Sequence, residues 1–359
     1  MPNSKLLTAA LILFLLLPFL SNSQPGYNAE IKQAAISFVN SLNNMQKQAA
    51  LLAFNDTARV KWNNLPVGLR ARAGINVGNM TEEQRKLFHR ILSASLSSQG
   101  YLKATSIMQL DALLNQYYDS LYYQGELNDE NLKGIKSLQW SPRNFYLAFF
   151  GLPSDSAWGY KVEGHHLSIN FTFVNDKLSV TPFFVGTDPA EFPIMSYAGL
   201  RVLGEEEDLG IKLIHLLSPA QQKQSTMNKD VPKDIITGAE SGKRLIDNWG
   251  IRASEMTKEQ QAVLQYIIRE FVFNLEYEKA VIEYDKIVKA GIDKIYFGWI
   301  GAYEESKLHY YVLNGPTFLI EFDNCGPAAH GNHIHAIWRE KGNEYGEDVL
   351  KEHYLSEKH

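Results

Sequence analysis

His333-Ile334-His335-Ala336-Ile337-Trp338-Arg339 is a stretch in which polar and apolar side chains largely alternate, a pattern typical of a half-buried β-strand. The positions expected to face the core are Ile334, Ala336 and Trp338. The positions expected to face the other way are His333, His335 and Arg339. Two imidazoles on one face of one strand can converge on a metal ion, a phosphate or a reacting carbonyl. The stretch therefore predicts a functional site near the C-terminus.

A second histidine motif, Gly164-His165-His166-Leu167-Ser168, lies in the first half of the chain. His166 falls on the polar face of a strand that starts there, whereas His165 falls on the apolar face. Three histidines that leave a fourth position open are typical of catalytic zinc, and imidazoles also suit copper and iron. We therefore predict that His166, His333 and His335 bind a divalent metal ion, either zinc, copper or iron.

Alternatives to a metal site stay open from the sequence. The same histidines can serve metal-free acid–base catalysis or anion binding, or they can be surface residues of strands without a site. His165 is a further candidate metal ligand, and its alternative is a structural role beside Leu167. His330 is expected in a loop, with ligation as the less favoured interpretation.

The two histidine motifs lie in halves of the chain that resemble one another. Met256-Thr257-Lys258-Glu259-Gln260 matches Met80-Thr81-Glu82-Glu83-Gln84, and each segment predicts a helix that starts with a capping box. Ile295-Tyr296-Phe297-Gly298-Trp299-Ile300-Gly301 likewise matches Phe145-Tyr146-Leu147-Ala148-Phe149-Phe150-Gly151, and both predict strands. Because the order and the types of these segments agree, we predict an internal duplication of one unit, in which helices are followed by a β-meander.

The predicted fold class is α+β, with an antiparallel sheet covered by helices. The first unit is expected to span residues 24–217 and the second residues 248–359, packed together as one body. Residues 218–247 are polar and contain two prolines and two glycines, so they predict a linker between the units.

The duplication also makes a geometric prediction. If the two sheets meet about a pseudo-twofold axis, His166 should lie near both His333 and His335. The polar-face assignment further requires that Trp338 and Phe171 are buried on the opposite side of the sheet.

Residues 1–23 have the features of a signal peptide, because Lys5 precedes the apolar run Leu6–Leu20 and small residues follow. The run holds Pro18 and is shorter than the ~20 residues of a membrane-spanning helix. Cleavage before Gln24 would give a secreted or periplasmic protein that has no membrane association.

The composition is that of a soluble globular protein, with 45% hydrophobic and 21% charged residues. A formal net charge of −5 argues against nucleic acids and anionic membranes as partners. Cys325 is the single cysteine, so the chain has no internal disulfide to stabilise it. The sequence holds no G-x-S-x-G, P-loop, H-E-x-x-H or G-x-G-x-x-G motif, which disfavours the enzyme classes that depend on them.

Several charged residues are candidates for catalysis or substrate binding. Arg143, Arg201 and Arg339 can bind a carboxylate or phosphate through the planar guanidinium, with a structural salt bridge as the alternative. Glu163 is a candidate general base. The catalytic set that we predict is Glu163, Arg143 and Arg339. The remaining candidate bases are Glu205, Glu340 and Asp348.

Several motifs together carry a resemblance to a known family. They are Trp158-Gly159-Tyr160, Glu163-Gly164-His165-His166-Leu167-Ser168, Thr181-Pro182-Phe183-Phe184-Val185-Gly186, Gly199-Leu200-Arg201-Val202-Leu203, Asn332-His333-Ile334-His335 and Trp338-Arg339. Through them, most of the chain resembles the family of domains of unknown function numbered 3500. Glu340 and Glu344 stand where we expect the family to prefer aspartate. The resemblance implies the fold unit and the histidine motifs, and it implies no established activity.

Two function hypotheses follow. The first is a secreted or periplasmic protein with a histidine-rich site that acts as a metal-dependent hydrolase on a small-molecule substrate. The second is a non-catalytic module that binds a carbohydrate or another small ligand along aromatic side chains. The chain has 18 Tyr, 18 Phe and 6 Trp, and these residues are also ordinary core material.

Overall fold

The computed structural model describes residues 26–325 and 331–356. The predicted signal peptide and His330 lie outside these residues. The α-helices of the described residues are α1 (Tyr27–Ser41), α2 (Asn44–Ala50), α3 (Glu82–Ser95), α4 (Ser98–Tyr123), α5 (Asp129–Ser137), α6 (Gly204–Leu216), α7 (Pro219–Ser225), α8 (Lys258–Val272), α9 (Tyr277–Gly291) and α10 (Glu347–Ser356). In this part of the chain, none of the helices has both the length and the apolar composition that crossing a membrane requires.

The strands belong to a single sheet. They are β1 (Leu51–Leu52), β2 (Ile75–Asn76), β3 (Tyr146–Phe150), β4 (Ala157–Gly164), β5 (Leu167–Val174), β6 (Lys177–Ser179), β7 (Phe183–Thr187), β8 (Ile251–Arg252), β9 (Tyr296–Gly301), β10 (His309–Asn314), β11 (Phe318–Asn324) and β12 (Ile334–Glu340). Their order is β1-β3-β4-β5-β7-β12-β11-β10-β9-β8, while β2 pairs with β3 and β6 pairs with β5. The sheet is open and mostly antiparallel, which confirms the predicted α+β class.

The centre of the sheet is the antiparallel pair of β7 and β12. In this pair, Phe183 lies opposite Trp338 and Gly186 lies opposite His335. β7 also pairs with β5, in which Leu167 lies opposite Val185. The start of β5 and the start of β12 are therefore two strands apart, with only β7 between them.

One face of the sheet packs against the helices and forms the main hydrophobic core. Trp338 and Phe171 are both buried in this core, as the sequence predicts. The helices contribute their apolar stripes, for example Phe38 of α1, Phe88 of α3 and Ile267 of α8. Burial of this apolar surface is the main stabilising term of the fold.

The opposite face of the sheet is also buried, although it carries many polar side chains. It is covered by two irregular segments, residues 53–73 and residues 227–249. Trp62 from the first segment packs against Phe184 of β7, with ring centroids 4.9 Å apart. Ile235 from the second segment packs in the same small apolar cluster as Phe184 and Ile337. Residues that the sequence assigns to a linker thus cover the polar face.

The two halves of the sheet share matching helix caps and backbone hydrogen bonds. Thr81 and Thr257 each cap a helix through a reciprocal bond with a glutamine three residues later. The backbone N–H of Val77 donates to the carbonyl of Phe145 at 2.8 Å, and Ala253 donates to Ile295 at the same distance. These caps and hydrogen bonds lie at the positions that the duplication predicts. Duplication itself, and the boundaries of the two units, stay predictions.

One local prediction differs in detail from the structure. Residues 219–225 form α7 within the segment expected to be a linker. Strands β6 and β7 are separated at Pro182, which lacks the N–H that a continuous ladder needs.

Candidate metal centre

The first histidine motif forms the connection between β4 and β5. Gly164 pairs with Leu167, so His165 and His166 are the two residues of a tight hairpin turn. His166 has a φ of 59°, a left-handed conformation that is uncommon for residues other than glycine. Its N–H donates to the carbonyl of Asn64 at 3.0 Å, and its carbonyl accepts from the N–H of Gly186 at 2.8 Å. The turn is therefore fixed to both β7 and the covering segment 53–73.

The second histidine motif lies across β7 from this turn. His335 is the second residue of β12, and His333 directly precedes that strand. The N–H of His333 donates to the side-chain oxygen of Asn324, at the end of β11, at 3.0 Å. Strand pairing on one side and this bond on the other hold the two imidazoles toward the hairpin turn.

The three imidazoles converge through their Nε2 atoms. The Nε2 atoms of His166 and His333 lie 2.9 Å apart, and those of His333 and His335 lie 3.1 Å apart. One ring nitrogen from each residue lies within 4.8 Å of the others, close enough for all three to hold one metal ion. A tetrahedral cation bound at ~2.0–2.1 Å needs ligand atoms roughly 3.3 Å apart, and the separations of 2.9 and 3.1 Å are within a few tenths of an ångström of that value. The predicted proximity of His166 to His333 and His335 is confirmed.

Gly186 makes this convergence possible. A Cβ at this position would lie 2.8 Å from the carbonyl oxygen of Ile334 and 3.1 Å from ring carbons of both His166 and His335. Any other residue would therefore push the two imidazoles apart.

Carboxylates lie behind two of the three imidazoles. Asp234 Oδ1, from the covering segment 227–249, lies 2.9 Å from His335 Nδ1. Asp188 Oδ2, directly after β7, lies 3.5 Å from His333 Nδ1. A carboxylate on the outer ring nitrogen fixes the tautomer that presents the other nitrogen to a metal. The chemistry of this donor set therefore fits a metal centre.

Burial keeps two of the imidazoles neutral. It lowers the pKa of His166 well below the usual range, and the neighbouring His165, His333 and His335 act in the same direction. Burial also lowers the pKa of His333 well below that range, with further contributions from His335 and His165. Neutral imidazole is the form that binds a metal ion, so both side chains hold the required form near pH 7.

His335 differs from its two neighbours in its pKa. Burial alone would lower this pKa, but the hydrogen bond to Asp234 and the charges of Asp323, Asp234 and Asp188 raise it above its ordinary value. Burial in turn raises the pKa of Asp323 to about 7 and that of Asp188 to about 6. The centre thus combines three imidazoles with acids that titrate near neutrality.

His165 lies beside the group but takes a different partner. Its Nδ1 lies 2.6 Å from Asp111 Oδ1 of α4. Its ring stacks on His166 with centroids 3.9 Å apart and on Trp140 at 5.9 Å. The three ring nitrogens that come together belong to His166, His333 and His335, so His165 lies behind His166, with one ring nitrogen bound to a carboxylate.

Two of the three predicted catalytic residues lie together in a cleft on the polar face. Glu163 is buried, accepts from the N–H of Asn63 at 2.5 Å and lies 3.5 Å from Arg72 Nε. Arg339 is buried, and its Nη1 donates to Glu344 at 2.6 Å. Arg339 also donates from Nε to the Thr237 hydroxyl at 2.9 Å. Both side chains line the same cleft.

The other charged candidates lie elsewhere. Arg143 precedes β3, lines a different pocket with residues of α3 and α4, and donates to the carbonyl of Gly78 at 3.1 Å. Arg201 forms ion pairs with Glu207 and Asp208 within its own segment. Glu340 pairs with Lys286.

Sequence reasoning missed the residues that surround the imidazoles. They are Asn64, Asp111, Gly186, Asp188, Asp234 and Asp323. Asp188 directly follows a strand, which is a position that can suggest a site residue. Asp234 lies 101 residues from His335 in a segment without a periodic pattern, so no local signal marks it.

The fold and the three-histidine group define an α+β protein with a buried candidate metal centre. The chain matches the model of the family described as "Protein of unknown function (DUF3500)" over residues 26–347, and it therefore belongs to that family. Comparisons with curated proteins and with solved structures find no significant match.

Proposed function

We propose that this protein binds one divalent metal ion, zinc, copper or iron, through the Nε2 atoms of His166, His333 and His335. The observation that supports this most strongly is the convergence of three Nε2 atoms from two distant parts of the chain. Three ring nitrogens that meet at one place are the arrangement of a three-histidine metal site. The carboxylates of Asp234 and Asp188, on the outer nitrogens, support the same interpretation.

The activity that fits such a centre best is metal-dependent hydrolysis. Three protein ligands leave a coordination position open, and a cation there can lower the pKa of a water to ~7. Asp188 is the candidate proton acceptor, because its carboxylate lies 3.5 Å from His333 Nδ1 and burial raises its pKa to about 6. An acid that titrates near neutrality can accept and return a proton at physiological pH.

A small-molecule substrate would reach the centre from the side of His333 and Asp188. The side chain of His333 is 16% exposed and that of Asp188 is 26% exposed, whereas His166 and His335 are buried. Tyr118 lies on this side. Burial raises the pKa of its hydroxyl, and the nearby charge of Asp188 raises it further. Its ring stacks on Trp140 with centroids 5.4 Å apart. These two rings form an aromatic wall beside the path of the substrate.

Export from the cytoplasm is a further part of the proposal. It rests on the apolar run that follows Lys5. Mass spectrometry of the protein purified from its own host should find a chain that begins at Gln24. A chain that retains residues 1–23 would argue against a cleaved signal.

Elemental analysis of untagged protein tests the metal centre. Wild type should hold about one equivalent of a transition metal per chain. His335→Ala should lose it, and His215→Ala should keep it, because His215 is exposed and its Nε2 lies 2.8 Å from the carbonyl oxygen of Tyr303. A metal content near zero in wild type, which reconstitution with zinc, copper or iron does not raise, would be evidence against the proposal.

A thermal-shift screen separates the hydrolase from a non-catalytic binding module. Stabilisation by zinc that His166→Ala abolishes would support the metal centre. Stabilisation by neutral sugars without metal, unaffected by His166→Ala, would favour a carbohydrate-binding module on the aromatic wall.

A further inference from the structure

A cleft of about 630 Å³ opens on the polar face of the sheet, between the covering segments 53–73 and 227–249. Strands β3, β4 and β12 form its floor. Pockets for small organic ligands typically measure ~300–1,000 Å³, so this cleft has the size of a ligand site.

The cleft is lined by an excess of positive charge. Its cationic side chains are Lys61, Arg70, Arg72, Lys161, Lys243, Arg244 and Arg339. Its carboxylates are Glu163, Glu240 and Glu344. Seven cations and three carboxylates line the cleft, and one of the cations, Arg244, also pairs with Glu347 outside the lining at 2.8 Å. The surplus is therefore three positive charges, in a chain whose formal net charge is −5. A concave surface concentrates the electrostatic field of these positive charges, and this field attracts anions.

Each carboxylate of the cleft is already paired with an arginine. Glu163 lies 3.5 Å from Arg72 Nε, and Glu240 lies 3.1 Å from Arg70 Nη2. Glu344 is shared, because both Arg244 and Arg339 bond to it at 2.6 Å. No carboxylate of the cleft is left to neutralise its lysines.

The three lysines of the cleft are the cations without carboxylate partners. Among the described residues, neither Lys61 nor Lys243 forms an ion pair, and both are exposed at the rim. Lys161 is buried on the floor, where its Nζ donates to the carbonyls of Ala58, at 2.7 Å, and of Lys61. Burial lowers the pKa of Lys161, and the charge of Glu163 opposes this only in part, because Arg72 and Arg59 act in the same direction as burial. The buried ammonium group is therefore unfavourable, and a bound anion would offset that cost.

We propose that this cleft binds a small organic anion that carries at least two carboxylate or phosphate groups. Two anionic groups are needed because the unpaired rim lysines come from different covering segments. Lys61 belongs to 53–73, whereas Lys243 belongs to 227–249. Trp62, Phe150 and Val60 also line the cleft and offer apolar surface to the carbon skeleton of the ligand.

The cleft is separate from the three-histidine group. Arg339, in the cleft, and His335 are four positions apart on β12, which corresponds to roughly 13 Å along a strand. An apolar layer fills the space between them. Trp62 lies under the Arg339 guanidinium and packs on Phe184, whose ring lies 5.5 Å from that of His335. The anion site therefore does not depend on a bound metal.

Calorimetric titration of the full chain tests this site, with citrate and glucose 6-phosphate as the anionic probes and glucose as the neutral one. The test variant is the double substitution Lys61→Gln and Lys243→Gln, which changes only exposed side chains. The matched control is Lys212→Gln with Lys289→Gln, two exposed lysines outside the cleft that give the same change in net charge. His335→Ala is included to separate this site from the metal centre.

At least one anionic probe should bind wild type at low salt, with weaker binding at about 0.3 M salt because the charges are screened. The cleft variant should weaken binding by roughly tenfold or more, as expected for two lost charge-assisted contacts. The control pair and His335→Ala should each change it by less than about twofold. The proposal is overturned if neither anion binds wild type, if glucose binds equally well, or if the control pair weakens binding as much as the cleft variant.

Discussion

The Nε2 atoms of His166 and His333 lie 2.9 Å apart, although 167 positions separate the two residues in the chain. The order of the sheet explains the contact, since β7 alone separates the hairpin turn that holds His166 from the start of β12. Gly186 of β7 provides the space in which the rings approach each other. Both histidine segments adjoin strands of one sheet, and side chains held by strands are positioned more precisely than side chains on loops.

Asp234→Asn should weaken zinc binding by about 10–100-fold, because a carboxylate on the outer nitrogen orients a ligating imidazole and raises its basicity. Asp234 Oδ1 lies 2.9 Å from His335 Nδ1, and its side chain is 48% exposed, so the substitution should not unfold the protein. Chelator competition measures the affinity, with Asp230→Asn as the control at an exposed position of the same segment. Equal affinities in the two variants would contradict a supporting role for Asp234.

Zinc affinity should begin to fall at a pH above 6.5 when the solution is acidified. The pKa of His335 is raised above its ordinary value of 6.5, so this imidazole takes up a proton before His166 and His333, whose pKa values are lowered. A protonated imidazole cannot bind the metal. Competition titrations between pH 8 and pH 5.5 would show the onset, and a flat affinity down to pH 6 would disagree with this order of titration.

In Asp234→Asn, the onset of this loss should move to lower pH. The substitution removes the negative charge that helps to hold a proton on His335, so the pKa of this imidazole should fall. The affinity at pH 8 would still be lower than in wild type. An unchanged onset would show that Asp323 and Asp188 alone set the titration of His335.

Trp338→Ala should lower the free energy of unfolding by about 3–5 kcal/mol, because it leaves a large cavity in the core. Trp338 is 1% exposed and lies opposite Phe183 in the central strand pair. Urea denaturation measures the change. Tyr354→Ala, at a 60% exposed position of α10, should change the free energy by less than about 0.5 kcal/mol. Similar values for the two variants would be inconsistent with the central role of β12.

Thr81→Ala and Thr257→Ala should each lower the free energy of unfolding by about 1 kcal/mol, the usual effect of removing an N-cap side chain. Each threonine accepts from the backbone N–H of a glutamine three residues later, at 3.2 Å for Gln84 and 3.3 Å for Gln260. The same urea titrations apply, with Ser93→Ala on the exposed surface of α3 as the control. A loss at only one of the two threonines would show that the two caps are not equivalent.

The sequence by itself determined the features that depend on near neighbours in the chain. Alternation along 333–339 placed Trp338 in the core and the histidines on the other face, because successive side chains of a strand point in opposite directions. The capping boxes at Thr81 and Thr257 were readable because their partners lie three residues away. The family resemblance, carried by several such local motifs, is confirmed over residues 26–347.

Only the tertiary structure decided which side chains complete the site. Asp234 and Asp188 reach the imidazoles because one covering segment and the end of β7 come to lie beside β12. Gly186 matters only once two rings approach it from different strands. Contacts between distant residues depend on strand order and on loops that close over the sheet. Local periodicity carries no information about these, since it reports which way a side chain faces and not what it will meet.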